Sequence, residues 1–256
     1  MSLLDRFSLK NKVALVTGGS RGIGLAIAQG FADAGARLII AARDAETLAK
    51  AEAQLLSRGA EVLAVSCNVS RENELQALIE QAIAQFGQID ILVNNAGGAY
   101  PNDMAKTTTE QFEKDFHFNV GSAFALSRLC LPQLKQHKGC IINITSAAAR
   151  YSQKGFTSYG TSKAALTHLT ALMAADFAPD IRVNGIAPGS IMTDALAQFI
   201  HGEAEEKMIA LTPMNALGYP DDIAAAALYL ASPAAQWVTG KILEVDGGAA
   251  VSTWPF

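Results

Sequence analysis

The sequence predicts one α/β domain built on a doubly wound, seven-stranded parallel sheet with helices on both faces. Three observations carry that prediction. Short aliphatic runs alternate with longer amphipathic ones along the whole chain, the strand–helix rhythm of an open α/β sheet. Most of the short runs are continuously apolar rather than alternating, as strands covered on both faces require. The 256 residues contain no linker, repeat or low-complexity segment, so one domain over residues 1–256 accounts for the length.

Taken in order, the strands fall at KVALVTG (12–18), RLIIAA (37–42), EVLAVS (61–66), DILVNNAG (90–97), CIINITS (140–146), IRVNGIAPG (181–189) and KILEVDGG (241–248). Helical segments lie between them at 22–34, 44–58, 71–86, 109–134 and 160–178. Asp44, Ser70 and Thr109 stand where N-caps belong, with side-chain oxygens suited to the free N–H groups of a first turn. Residues 190–214 form a longer connection that mixes Met, Ile, Leu and Phe with acids, and a further helix starts at about Asp221. The connection follows a strand's carboxyl end, where open α/β sheets bind ligands, and is expected to be a substrate lid or an ordinary helical covering of the sheet.

Composition excludes several classes. Half of the residues are apolar and 17% are charged, which does not fit a disordered chain. Twenty Lys and Arg against 24 Asp and Glu leave a net charge of −4, so there is no electrostatic case for nucleic acid or an anionic membrane. The start, MSLLDRFSLKNK, lacks the apolar core of a signal peptide, and the longest apolar run, IAAAALYLA from Ile223, is too short to span a bilayer. Cys67, Cys130 and Cys140 show no paired spacing, and His117, His137, His168 and His201 show no metal-site spacing. A cytoplasmic protein with free thiols and no structural metal is expected.

TGGSRGIG (17–24) follows the first strand and opens the first helix. Glycines permit the tight turn and bring backbone N–H groups to a pyrophosphate at the positive helix end. The spacing Gly18-x3-Gly22-x-Gly24 differs from G-x-G-x-x-G, yet its place in the chain predicts dinucleotide binding by Gly18, Ser20, Arg21, Gly22, Ile23 and Gly24. The second strand ends in Ala41-Ala42-Arg43, with no carboxylate for an adenosine ribose until Asp44. Arg43 and Arg21 are placed to grip a 2′-phosphate through bidentate bonds, which predicts NADP(H) in preference to NAD(H). The other reading stacks one arginine on adenine and leaves the second in solvent.

TSYGTSKAAL (157–166) places Tyr159 four residues ahead of Lys163. On a helix the two project from nearly one face, about 6 Å apart along the axis. A free phenol titrates near ~10, and a fixed ammonium beside it favours phenolate and lowers that value. Tyr159 is therefore the candidate general acid/base for an alcohol or carbonyl. Ser146, at the end of the fifth strand, can bond the same substrate oxygen and steady developing charge.

These residues, with NNAG (94–97), Asn119 in FHFNVGS, ITSAAA around Ser146, YGTSK (159–163), APGSIMT (187–193) and VDGG (245–248), stand in one order along the chain. In that order the chain resembles the short-chain dehydrogenase/reductase family over essentially its whole length. The resemblance implies a Rossmann-like fold, hydride transfer through a nicotinamide, a hold by Lys163 on the nicotinamide ribose, and Asn119 in a proton relay through water. It implies Asn68 and Val69 against adenine, although the family often has aspartate where Asn68 stands. Asn95, Ala96 and Gly97 would lie along the cofactor, with Asn94 tying neighbouring strands. Pro188, Gly189, Ile191 and Thr193 would contact the nicotinamide side. A homo-oligomer, commonly a tetramer, is also implied.

The expected partner is a small-molecule substrate, a carbonyl compound or secondary alcohol, contacted by Ser146 and Tyr159. RVNGIAPGSIMTDAL and SPAAQWVTGKILEVDGG look most like bacterial hydroxysteroid dehydrogenases. That likeness implies a bulky apolar substrate, with Tyr100, Tyr151, Met192 and Phe199 as candidates for its pocket. Reductases of 3-oxoacyl-[acyl-carrier-protein] are the alternative, but Ala175 precedes Asp176 where they carry an arginine, and Arg128 is offset from their other one. A non-catalytic nucleotide sensor is the third reading, and intact Ser146, Tyr159 and Lys163 speak against it. The terminal STWPF either reaches a neighbouring subunit or folds back on its own domain.

Overall fold

The computed structural model describes residues 2–256. Its strands are β1 (Val13–Thr17), β2 (Arg37–Ala42), β3 (Val62–Ser66), β4 (Ile91–Asn94), β5 (Cys140–Ile144), β6 (Arg182–Pro188) and β7 (Ile242–Val245). The helices are α1 (Gly22–Asp33), α2 (Ala45–Ser57), α3 (Glu72–Phe86), α4 (Thr109–Phe116), α5 (Ser122–Gln136), α6 (Thr157–Phe177), α7 (Asp194–Ala197), α8 (Glu203–Leu211) and α9 (Pro220–Ala231). The strands form one sheet in the order β3-β2-β1-β4-β5-β6-β7, every neighbouring pair parallel.

The uniform apolarity of the strands follows from this layering. In β1, Ala14 and Val16 turn into a core shared with α1, α2 and α9, while Val13 and Leu15 turn into a second core shared with α3, α5 and α6. No side of the strand meets water, so no position is left for a polar residue. The chain steps outward from β1 to β3 and then returns to lay β4 on the other side of β1. That reversal opens a crevice beyond the carboxyl ends of β1 and β4.

A buried polar network ties the middle of the sheet to the helices above it. Asn94 Nδ2 donates to Asn143 Oδ1 at 2.8 Å and Ser127 Oγ at 3.0 Å, and Asn143 Nδ2 donates to Thr170 Oγ1 at 2.9 Å. β4, β5, α5 and α6 are thereby held in one register just beneath the crevice. Asn94 is the strand tie that its place in NNAG implies.

Several boundaries differ from the sequence reading. The fourth strand stops at Asn94 rather than residue 97, because the N–H groups of Asn95 and Ala96 both turn to Thr17 Oγ1 at 3.0 Å. The helix expected over 109–134 is divided by a π turn at His117–Gly121, and the one expected from 160 already starts at Thr157. Asp44 caps α2, accepting from Thr47 N at 2.8 Å. Thr108, not Thr109, caps α4. Ser70 does not cap α3: its N–H is taken at 3.1 Å by Asn68 Oδ1, and this Asx turn moves the cap position to Arg71. No described helix is long and apolar enough to cross a membrane.

Candidate active site

A cleft of about 780 Å³ runs along the carboxyl edge of the sheet, from Arg43 and Thr47 at one end to Phe199 and Trp254 at the other. Its floor is the glycine turn between β1 and α1. Gly18 and Gly22 hold φ of +64° and +54°, a region that costs an ordinary side chain energy. A Cβ on Gly24 would lie 2.2 Å from Gly18 O, so only glycine lets α1 start this close to the turn. On Gly22 a Cβ would point across the cleft to within 3.5 Å of Thr193 Cγ2, so its absence keeps the groove open. Asn95 locks the turn from the side, its Nδ2 donating to Thr17 O at 2.9 Å. Arg21 at the N-cap makes no side-chain cap to α1, which leaves the first N–H groups of that helix for a ligand.

The candidate proton-handling residues gather at the other end. Ser146 closes β5, its Oγ accepting from Ala148 N at 3.1 Å. Tyr159 and Lys163 stand on the first turns of α6. Lys163 is buried, and its Nζ donates to Ile144 O at 2.8 Å and lies 5.7 Å from the centre of the Tyr159 ring. An ammonium has three protons to donate, so capacity remains toward the cleft that this residue lines. A Cβ on Gly97 would fall 2.8 Å from Asn119 Oδ1 and 3.0 Å from Lys163 Nζ, so only a glycine leaves room for both groups beside it.

Burial dominates the electrostatics here. It pulls the Lys163 ammonium down to about 8. It pushes the Tyr159 phenol up, and a hydrogen bond to Ser146 draws it only partly back. The sequence reading expected Lys163 to lower the phenol. The structure corrects this, because loss of water around the ring outweighs the help it receives. Burial also raises Tyr151, and it raises the Cys67 thiol to about 11, with Glu74 adding to the effect.

Nearly all residues singled out by sequence come together. Gly18, Ser20, Arg21, Gly22, Ile23, Gly24, Arg43, Val69, Asn95, Ala96, Gly97, Ser146, Tyr159, Lys163, Pro188, Gly189, Ile191 and Thr193 line this one cleft. Asn68 does not, and its carboxamide oxygen is turned to Ser70 N rather than toward an adenine. Asn119 is buried behind the wall. Its Oδ1 accepts from Gly98 N at 2.8 Å, while Nδ2 donates to Gly98 O at 3.0 Å and Asp115 O at 2.9 Å. Of the pocket candidates, Tyr151 and Phe199 line the cleft. Tyr100 stays exposed against Phe199, and Met192 packs on the cluster of Ile200, Met208 and Leu217.

Sequence reasoning missed Thr47, Cys67, Pro101, Gln153, Phe156, Thr253 and Trp254, which also line the cleft. For Thr47 the signal was present, since a residue three past the Asp44 cap lies on the first turn of α2 beside the end of β2. The others belong to loops and the chain end, which carry no periodicity to place them.

The site fits a dinucleotide: an open glycine turn, uncapped helix N–H groups, two arginines at one end and a buried lysine with spare donors at the other. The family model described as enoyl-(acyl carrier protein) reductase matches residues 18–250. A 7α-hydroxysteroid dehydrogenase of Escherichia coli is 44% identical over 246 residues, covering 95% of this chain and 96% of the relative. A 3-oxoacyl-[acyl-carrier-protein] reductase of Chlamydia trachomatis is 35% identical over 246 residues, covering 94% and 98%. A solved 7α-hydroxysteroid dehydrogenase, complexed with NADH and 7-oxo glycochenodeoxycholic acid, superposes with a TM-score of 0.94 at 44% identity, covering 97% of this chain and 98% of that one. The chain belongs to the short-chain dehydrogenase/reductase family and is an oxidoreductase acting on CH–OH groups.

Proposed function

We propose that the protein is an NADP(H)-dependent oxidoreductase that interconverts a ketone and a secondary alcohol on a bulky, apolar molecule of the hydroxysteroid type. The observation that carries this reading is the meeting of Ser146, Tyr159 and Lys163 with the glycine turn in one cleft. A bound nicotinamide dinucleotide supplies or accepts the hydride. Arg43 and Arg21 hold its 2′-phosphate, and the turn and the α1 N–H groups hold its pyrophosphate. Asn95, Ala96 and Gly97 run along it, with Val69 near the adenine, while Pro188, Gly189, Ile191 and Thr193 fix the other end. Lys163 donates its spare N–H hydrogen bonds to the oxygens of the ribose hydroxyls.

Tyr159 gives a proton to the carbonyl oxygen in reduction and takes it back in oxidation. Ser146 donates to the same oxygen. The raised phenol is protonated at neutral pH, ready for the reductive direction. Asn119 keeps one Oδ1 lone pair unused by Gly98, which a relay water can fill. Residues 190–214 act as the substrate lid: Ile200 and Met208 bury together with Leu217, and Leu196, Phe199 and Met208 face the cleft. Free, buried Cys67, Cys130 and Cys140 support a reducing, cytoplasmic setting.

The carrier-protein alternative is less well supported. Arg128 is ion-paired with Glu72 rather than free for an acidic partner, and Glu203, Glu205 and Glu206 make the first turn of α8, the helix that brings Met208 to the cleft, acidic. The proposal is tested by following loss of reduced-nicotinamide absorbance with a panel of cyclic and fused-ring ketones, using NADPH and NADH in turn. Turnover is expected with NADPH preferred, and Arg43→Ala should weaken NADPH by about tenfold or more while changing NADH little. An equal loss for both would remove the phosphate contact, and binding without turnover across the panel would favour a sensor.

A further inference from the structure

The chain end does not trail away from β7 but is folded over the substrate end of the cleft. Two hydrogen bonds pin it there. Thr253 is buried with its Oγ1 2.9 Å from Ser190 Oγ, and Ser252 Oγ donates to Gln153 Oε1 at 2.8 Å. The first pin is at the root of the lid segment, the second in the loop before α6. Next to them Trp254 turns inward, half-buried, and lines the cleft. Its ring meets Phe156 edge-on at 5.3 Å, and Phe156 meets Tyr159 edge-on at 6.0 Å. It also packs on the cluster of Ile200, Met208 and Leu217, and Phe256 meets it edge-on at 5.6 Å. The indole thus touches both the lid and the aromatic ring that flanks the proton donor.

We infer that Trp254 is a specificity-determining residue, its indole forming the wall on which the ring system of a bulky apolar ketone or alcohol is seated. An indole presents a large, rigid apolar face with few torsions to freeze on binding, and so discriminates by shape as well as by area. Because the tail is anchored through Thr253 and Ser252, the wall is fixed and does not retreat from an ill-fitting ligand. A small ketone reaches Ser146 and Tyr159 without touching it; a fused-ring one cannot. The identity of the ligand rests on the oxidoreductase reading above, whereas the wall itself rests on the fold of the tail.

The test uses the intact protein with two probes, 7-oxo glycochenodeoxycholic acid for bulk and cyclohexanone for a small ring. The chain has two tryptophans, and Trp237 is 97% exposed and outside the cleft lining, so Trp237→Phe leaves Trp254 as the sole tryptophan, excited selectively over the tyrosines. Adding the bulky ketone should shift Trp254 emission saturably. In steady-state assays Trp254→Ala should raise KM for the bulky ketone about tenfold or more, leave kcat/KM for cyclohexanone within about twofold, and leave the pH–rate profile unmoved. A silent Trp254, or an equal loss on both ketones, overturns the inference, and the emission arm decides it even where Trp254→Ala fails to fold. A saturable shift with no turnover of either ketone would keep the wall and reject the ketone-reducing, hydroxysteroid-type reading proposed above. Turnover of both ketones with a silent Trp254 would do the reverse, and neither signal would reject both.

Discussion

Lys163 is a cation kept almost out of water, with one protein acceptor at Ile144 O. Burial lowers it from 10.5 to about 8, so between those values the native chain has released a proton that the unfolded chain still holds. Stability contributed by this site therefore rises with pH across that window, and the cost of the buried charge is fully present below about 8. The raised phenol of Tyr159 works in the opposite sense above 10, where the unfolded chain ionises first. Chemical denaturation of wild type and Lys163→Met from neutral pH to 10 should show the wild type gaining relative stability above 8, and a constant difference would contradict the burial argument. The spacing of Tyr159 and Lys163 showed in the sequence that the pair shares a helix face. It could not show the direction of the phenol's shift, because the depth of burial is set by β5, Phe156 and the tail rather than by α6 alone.

Among the elements, the glycine turn was the most legible. Its residues are close in sequence, and each glycine answers a local constraint. A methyl group on Gly24 would meet Gly18 O at 2.2 Å and Asn95 Nδ2 at 2.5 Å, one of them backbone. Gly24→Ala should cost about 1–3 kcal/mol of stability by overpacking and abolish dinucleotide binding, measured by denaturant unfolding and by titration with NADPH. Unaltered binding would mean that the turn does not carry the phosphates. The π turn at His117–Gly121 was not legible, since one extra residue in a helical turn leaves the apolar pattern nearly unchanged. It places Asn119 behind Gly97 and Gly98, where its side chain can hold the backbone that faces Lys163. The Asx turn at Asn68 likewise hid from a reading based on family position, because its carboxamide is satisfied locally by Ser70.

Over the whole molecule, the sheet could be read from the sequence because seven apolar runs with covering helices have few ways to pack once the first turn is placed. The far end of the cleft could not, since Phe156, Trp254 and the cluster of Ile200, Met208 and Leu217 meet only after folding. Phe124 on α5 and Leu172 on α6 remain 52% and 50% exposed on the same side of the sheet, a surface that further copies of the chain can cover. The family resemblance implies a homotetramer, which would cover this surface; light scattering tests that expectation, and a particle of 26.9 kDa would contradict it.

The proposed function needs Tyr159 as the group that exchanges a proton with the substrate oxygen. Its most direct test is Tyr159→Phe, which keeps the ring against Phe156 and removes only the hydroxyl. Ketone turnover should fall by about 10²–10⁴-fold while NADPH affinity, measured by titration, stays at the wild-type value. Turnover within about twofold of wild type, beneath the range such a proton donor contributes, would contradict it.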